Sequence, residues 1–211
     1  MGAERIETIE GRALPMRGED IDTDRIMPAR FLKSITFDGL EAHLFEDDRL
    51  EAKRSRAIFP ETHPFDNPEY QSASILLVNR NFGSGSSREH APQGLRRWGI
   101  RAVLGESFAE IFFGNSLMIG LACLTAAPKD IDTLMRLAEE DPSVQFRVDL
   151  KTATCDAEGL KVSLSIPPHV RDALMTGAWD TTGLLMDRYD EVNALASRLP
   201  YLSGFSSPQP S

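Results

Sequence analysis

Asn81-Phe-Gly-Ser-Gly-Ser-Ser-Arg-Glu-His-Ala91 follows the apolar run Ser74-Ile-Leu-Leu-Val78 and leads into a segment of helix formers, Glu89 to Trp98, that stops at Gly99. A short apolar run bounded by turn residues is what a buried strand uses, so the stretch reads as a strand turning into a helix. Gly83 and Gly85 can take backbone angles closed to other residues, which lets successive N–H groups converge on an oxyanion at the helix start. Arg88 adds a planar fork suited to a carboxylate. The same signals also describe a glycine-rich turn that holds no ligand, and both readings stand at this point.

Spacing excludes the familiar phosphate loops. In a Gly-x-Gly-x-x-Gly fingerprint the third glycine lets helix and strand approach closely, and here that position holds Arg88. No Gly-x-x-x-x-Gly-Lys-Ser/Thr occurs, and Ser86 is not in a Gly-x-Ser-x-Gly elbow. A serine beside glycines and an arginine can act as a base only if backbone N–H groups and guanidinium charge stabilise its alkoxide. Part of that environment can come from another chain.

Outward from the loop, strand-like and helix-like patterns alternate, which implies an α/β layered fold. Gly99–Leu104 and Leu121–Leu124 read as strands, and Ser107 as the cap of a helix through Ile111 to Leu117. Asp130–Glu140 has an amphipathic helical pattern. Val144–Leu150 and Leu160–Ile166 alternate as half-buried strands do. Pro168–Met175 and Tyr189–Leu199 are helical candidates, Asp47–Asn67 reads as an irregular excursion, and 203–211 as a flexible, solvated tail. The expected organisation is one domain over 1–202.

With 211 residues, 41% of them hydrophobic, the chain can build a substantial core. Its 32 acidic and 23 basic residues, net charge −9, argue against nucleic acid as main partner, because phosphate contact needs a basic surface. No charged-then-apolar leader opens the sequence and no run approaches the ~18 apolar residues of a membrane span, so cytoplasm is the expected compartment. Asp20-x-Asp22-x-Asp24 is not a calcium loop, since Arg25 and Phe31 stand where glycine and glutamate are needed. Local capping and solvated charge explain that spacing better.

Asn-Phe-Gly-x-Gly-Ser-Ser-Arg-Glu-His-Ala resembles the signature of the small, swivelling domain of the aconitase family. Asp20-Ile-Asp-Thr-Asp-Arg-Ile-Met-Pro-Ala-Arg-Phe-Leu32 is similar to the entry motif of that family's dehydratase small subunits, and so are Ala42-His-Leu-Phe45, Ser107-Phe-Ala-Glu-Ile-Phe-Phe-Gly-Asn-Ser116 and Thr182-Gly-Leu-Leu185. The likeness spans roughly residues 5 to 200, with several motifs in order. It implies a swivelling β/β/α domain, a layered sheet flanked by helices, that forms the small subunit of a heteromeric hydro-lyase. The implied reaction converts 2-isopropylmalate to 3-isopropylmalate through isopropylmaleate, a step of leucine biosynthesis. Citraconate, 2-methylmalate or dimethylmaleate as substrate, and a non-catalytic dicarboxylate-binding module, are the alternatives.

By the same resemblance Ser86 is the base and Arg88 pairs with the substrate carboxylate. Gly85 and Ser87 steady the alkoxide or orient substrate, and Arg25, Arg30 and Lys33 are further candidates for substrate binding. A mobile loop that helps choose the substrate side chain would include Lys33–Gly39. The resemblance places a [4Fe–4S] cluster on a large partner subunit and no metal on this chain. Cysteine usage agrees with that division, because Cys123 and Cys155 are too few for a cluster, and Cys123 sits in an apolar run as a buried thiol would. Two departures from the pattern are Ser84, where cysteine is common, and Thr36-Phe37-Asp38, where a basic stretch is common.

Overall fold

The apolar run that precedes the loop is strand β2 (Ala73–Val78), and it is buried on both faces, as parallel strands covered by helices are. Ile75 and Leu77 point into one core, Leu76 and Val78 into another. The structure, a computed structural model, describes residues 4–33, 36–55, 62–181 and positions 183, 193, 194, 196, 197 and 199. Among them seven strands form one mixed, curled sheet: β1 (Thr8–Met16), β2, β3 (Ala102–Gly105), β4 (Ala122–Thr125), β5 (Phe146–Asp149), β6 (Thr154–Ala157) and β7 (Leu160–Ser163). Their order is β4-β3-β2-β1-β5-β6-β7.

β1 joins two halves of opposite character. Its first residues, Thr8 to Gly11, pair antiparallel with β5, while Arg12 to Met16 pair parallel with β2. The change falls at a register shift between Arg12 and Ala13. Gly11 has φ +149°, and a Cβ there would lie 2.1 Å from the Ser74 hydroxyl, which donates to the Glu10 carbonyl at 3.0 Å. Beyond β1, the parallel half continues through β3 and β4, and the antiparallel half through β6 and β7.

Among the described residues six helices accompany the sheet: α1 (Thr23–Ile26), α2 (Glu46–Ser55), α3 (His90–Trp98), α4 (Glu110–Leu117), α5 (Pro128–Glu140) and α6 (Pro168–Thr176). Ile131, Leu134, Met135 and Ala138 of α5 and Val170 and Leu174 of α6 fill one core. Ala91 and Leu95 of α3, Phe112 of α4 and Ile26 of α1 fill the other. These packings realise the expected α/β layering of sheet and helices.

Several sequence expectations need correction. Residues 47–55, assigned to an irregular excursion, belong to helix α2; it buries no residue, so no apolar stripe marks it. Ser107 does not cap α4. Its hydroxyl accepts the Asn81 N–H at 2.8 Å, and Ala109 holds the N-cap position without a side-chain bond. β3 starts at Ala102 rather than Gly99, because the Ile100 N–H closes the end of α3 on the Leu95 carbonyl at 3.0 Å. The closing motif 182–185, the helical candidate 189–199 and the tail 203–211 lie wholly or largely outside the described residues. Among the described residues no helix is long and apolar enough to cross a membrane.

Candidate active site

The glycine loop leaves the carboxyl end of β2 and is held from both sides by backbone. Gly83 N–H donates to the Ile21 carbonyl and Thr23 N–H to the Ser84 carbonyl, each at 2.8 Å. On the other side Phe82 N–H donates to the Ser107 carbonyl at 3.1 Å, and Ala109 N–H to the Phe82 carbonyl at 3.0 Å. Thr23, a buried polar residue, closes the clamp by donating its hydroxyl to the Ser86 carbonyl at 3.0 Å. A loop gripped in this way can present side chains to solvent in a fixed arrangement.

Both glycines of the loop have positive φ, 79° at Gly83 and 93° at Gly85. Gly83 is needed for space as well, since a Cβ there would lie 2.3 Å from the Phe112 ring of α4. Gly85 meets only ordinary contacts, with Thr23 Oγ1 at 3.5 Å, so its backbone angle alone calls for glycine. Asn81 also takes a left-handed angle, φ 57°, and donates its side-chain amide to Asp20 Oδ1 at 2.8 Å.

At the tip Gly85, Ser86 and Ser87 are exposed, while Arg88 is 12% exposed and enters an ion pair with Asp24. Asp24 engages Nη1; Nε is buried and has no partner, so the fork keeps donor capacity. His90 begins α3 and packs edge-on against Phe37, ring centroids 5.1 Å apart, while Asp38 pairs with Arg97 of the same helix at 2.7 Å. The departures at Phe37 and Asp38 therefore lie against the helix that follows the loop. Positions 34 and 35 of the expected selecting loop lie outside the described residues.

The remaining candidates do not join Ser86 and Arg88 in this chain. Arg25 pairs with Asp48 at 2.8 Å and lines a cleft of about 520 Å³ with Met16, Asp48 and His63. Arg30 is held by Asp47 and Glu46 and lies over the Phe31 ring, 4.9 Å from its centroid. Its hydrogen bonds pull the Asp47 and Glu46 carboxyls below their ordinary range. Lys33 is exposed at the end of a short 3-10 turn.

Sequence reading missed Asp24 as the partner of Arg88, which lies 64 residues away. Only Asp22 caps α1, accepting the Arg25 N–H at 2.8 Å. The link that brings Asp24 to Arg88 is the parallel bridge between Asp22 and Ser84, which no local pattern announces.

Neither cysteine fits a cluster ligand. Cys123 is on β4 and Cys155 on β6, separated by four strands of the sheet order, and burial pushes each thiol up to about 12. Among the described residues no group of three or more His, Cys, Asp or Glu could hold a metal ion.

Comparison with known proteins fixes the family. The profile of the aconitase C-terminal domain matches residues 3–129, so the chain belongs to that family. Within it, the small subunits of 3-isopropylmalate dehydratase from two strains of Thermus thermophilus are each 46% identical over 198 residues. The small subunit from Synechocystis sp. PCC 6803 has the same identity, and all three alignments cover 94% of this chain and 96% of the relative. That likeness makes the chain a member of the 3-isopropylmalate dehydratase small-subunit family. The crystal structure of 3-isopropylmalate dehydratase from Methanocaldococcus jannaschii shares the fold, with a TM-score of 0.64 at 24% identity over 89% of this chain and 99% of that one.

Proposed function

We propose that this chain is the small subunit of a heteromeric hydro-lyase that isomerises 2-isopropylmalate to 3-isopropylmalate, a step of leucine biosynthesis. The observation that carries the reading is the exposed Ser86, two residues before Arg88, on a loop clamped by backbone at both edges. Arg88 pairs with a substrate carboxylate, and Ser86 Oγ takes the proton from the carbon beside it as the hydroxyl leaves the neighbouring carbon as water; on rehydration the proton goes to that neighbouring carbon and the hydroxyl to the first, so the two exchange places. Gly85 and Ser87 belong to the backbone turn that steadies the serine oxygen. Lys33, Arg25 and Arg30 are second-rank substrate candidates, because carboxylates of this chain already engage the two arginines.

An exposed serine is a weak acid, and this chain does not bury Ser86. The proton transfer therefore calls for a site closed by a second protein. A large subunit would take that role and would hold the [4Fe–4S] cluster, which would supply a Lewis acid for the substrate hydroxyl. Two free, buried thiols fit the reducing cytoplasm, and with a net charge of −9 the binding of a dicarboxylate falls to local cations such as Arg88.

A related substrate has one observation in its favour. Phe37 and Asp38 lie against α3 at the place where a basic stretch is common in the family, which would alter the accepted substituent. Product analysis separates the two: with a cluster-bearing large subunit, 2-isopropylmalate should yield 3-isopropylmalate. Preferential hydration of citraconate or dimethylmaleate would reassign the substrate and keep the chemistry. Loss of both activities in the wild-type complex would remove the reading.

A further inference from the structure

Helix α4 is fastened to the glycine loop at its first turn and carries exposed apolar residues that share one stripe. Ala109 N–H bonds the Phe82 carbonyl, and Phe112 occupies the space a side chain at Gly83 would need. On the same helix and its C-cap, Ile111 is 51% and Met118 68% exposed. Residues 111, 114 and 118 follow helical i, i+3, i+7 spacing and share one stripe.

Gly114 lies between the two apolar side chains, in the interior of the helix. A Cβ there would meet nothing within 4 Å, and its φ is not positive. Among the described residues neither crowding nor backbone angle calls for glycine, which weakens a helix relative to alanine. Glycine between exposed apolar residues instead suits the close approach of another backbone.

We infer that the Ile111–Gly114–Met118 stripe is a docking face for the cluster-bearing large subunit. The inference rests on the functional reading above, and continuity with the loop argues for that occupant. Through those contacts the first turn of α4 adjoins the loop that a partner would cover in closing over Ser86. The helix is roughly 12 Å long, and a standard interface covers about 800 Å² per partner, so one footprint can include both.

Full-length variants mixed with a cluster-reconstituted large subunit test the proposal, with affinity read by titration and melting temperature read on the chain alone. Gly114→Ala should raise the melting temperature of the isolated chain. Gly114→Leu and Met118→Lys should weaken assembly by about tenfold or more, while Leu50→Lys, at another exposed apolar position on α2, should not. Turnover in the two weakened variants should return at saturating large subunit. Wild-type assembly with unchanged affinity in Gly114→Leu and Met118→Lys overturns the docking face and leaves the functional reading standing. A lower melting temperature of isolated Met118→Lys would show that this chain's own residues cover the stripe, and loss of self-association would assign it to a second copy; either overturns the proposal. Failure of the wild-type chains to assemble sinks both this proposal and the functional reading.

Discussion

Arg88 couples charge to geometry, so its substitutions separate the two. Arg88→Lys keeps the charge but loses the planar fork and the Asp24 pairing geometry. It should raise KM for the dicarboxylate about tenfold or more, a loss of roughly 1.4 kcal/mol or more in substrate interaction, while assembly is retained. Unchanged KM would remove Arg88 as the carboxylate ligand. Of the proposed site, Ser86 and Arg88 were legible because they lie in one contiguous run; Asp24 and Thr23 were not, because a bridge between distant segments brings them in.

His63 makes a separate prediction. Burial holds its imidazole at about 4, below the ordinary 6.5, against the opposing pull of Asp48 and Asp66. The folded state thus favours neutral His63, and the unfolded chain takes up the proton first as pH falls. This contribution is fully present above pH 6.5 and is lost progressively down to about pH 4. Partial exposure limits it to the order of 1–2 kcal/mol. Chemical denaturation of wild type and His63→Gln at pH 7 and pH 5 checks it: the wild type should lose more stability over that interval, and parallel losses would contradict the assignment.

Among the elements, the loop and α4 act as one unit through Gly83. Gly83→Ala adds a methyl where Phe112 already lies and places it on a positive-φ backbone. Stability should fall by about 1–3 kcal/mol, and turnover should fall further than stability explains, because the shift passes along the loop to Ser86. Turnover equal to wild type in the folded fraction would show that the loop tolerates displacement.

The strand, loop and helix from Ala73 to Trp98 were readable because apolar run, glycines and helix formers agree in sequence order. β1 was not, because Gly11 and Pro15 interrupt it and its two halves pair in opposite senses. Pro15 sits opposite Leu77 in the middle of the sheet, where a missing N–H argues against a strand. α2 lacked an apolar face, and β6, Thr154–Ala157, is four residues of mixed character.

At the scale of the molecule, the two sheet halves divide the work. The parallel half supplies the glycine loop after β2 and the segments after β1 and β3 whose backbones grip it, and the antiparallel half completes one of the two cores. The result presents Ser86 at a surface while Arg88 stays mostly buried against Asp24, which is the form expected of half a site. The most direct measurement follows the absorbance of the unsaturated intermediate formed from 2-isopropylmalate by this chain alone, by a cluster-bearing large subunit alone, and by their mixture with wild-type or Ser86→Ala chain. The account predicts turnover only in the wild-type mixture, with Ser86→Ala assembling normally and losing roughly 10²–10⁴-fold in rate. Full turnover by the Ser86→Ala complex, or by either chain alone, would contradict it.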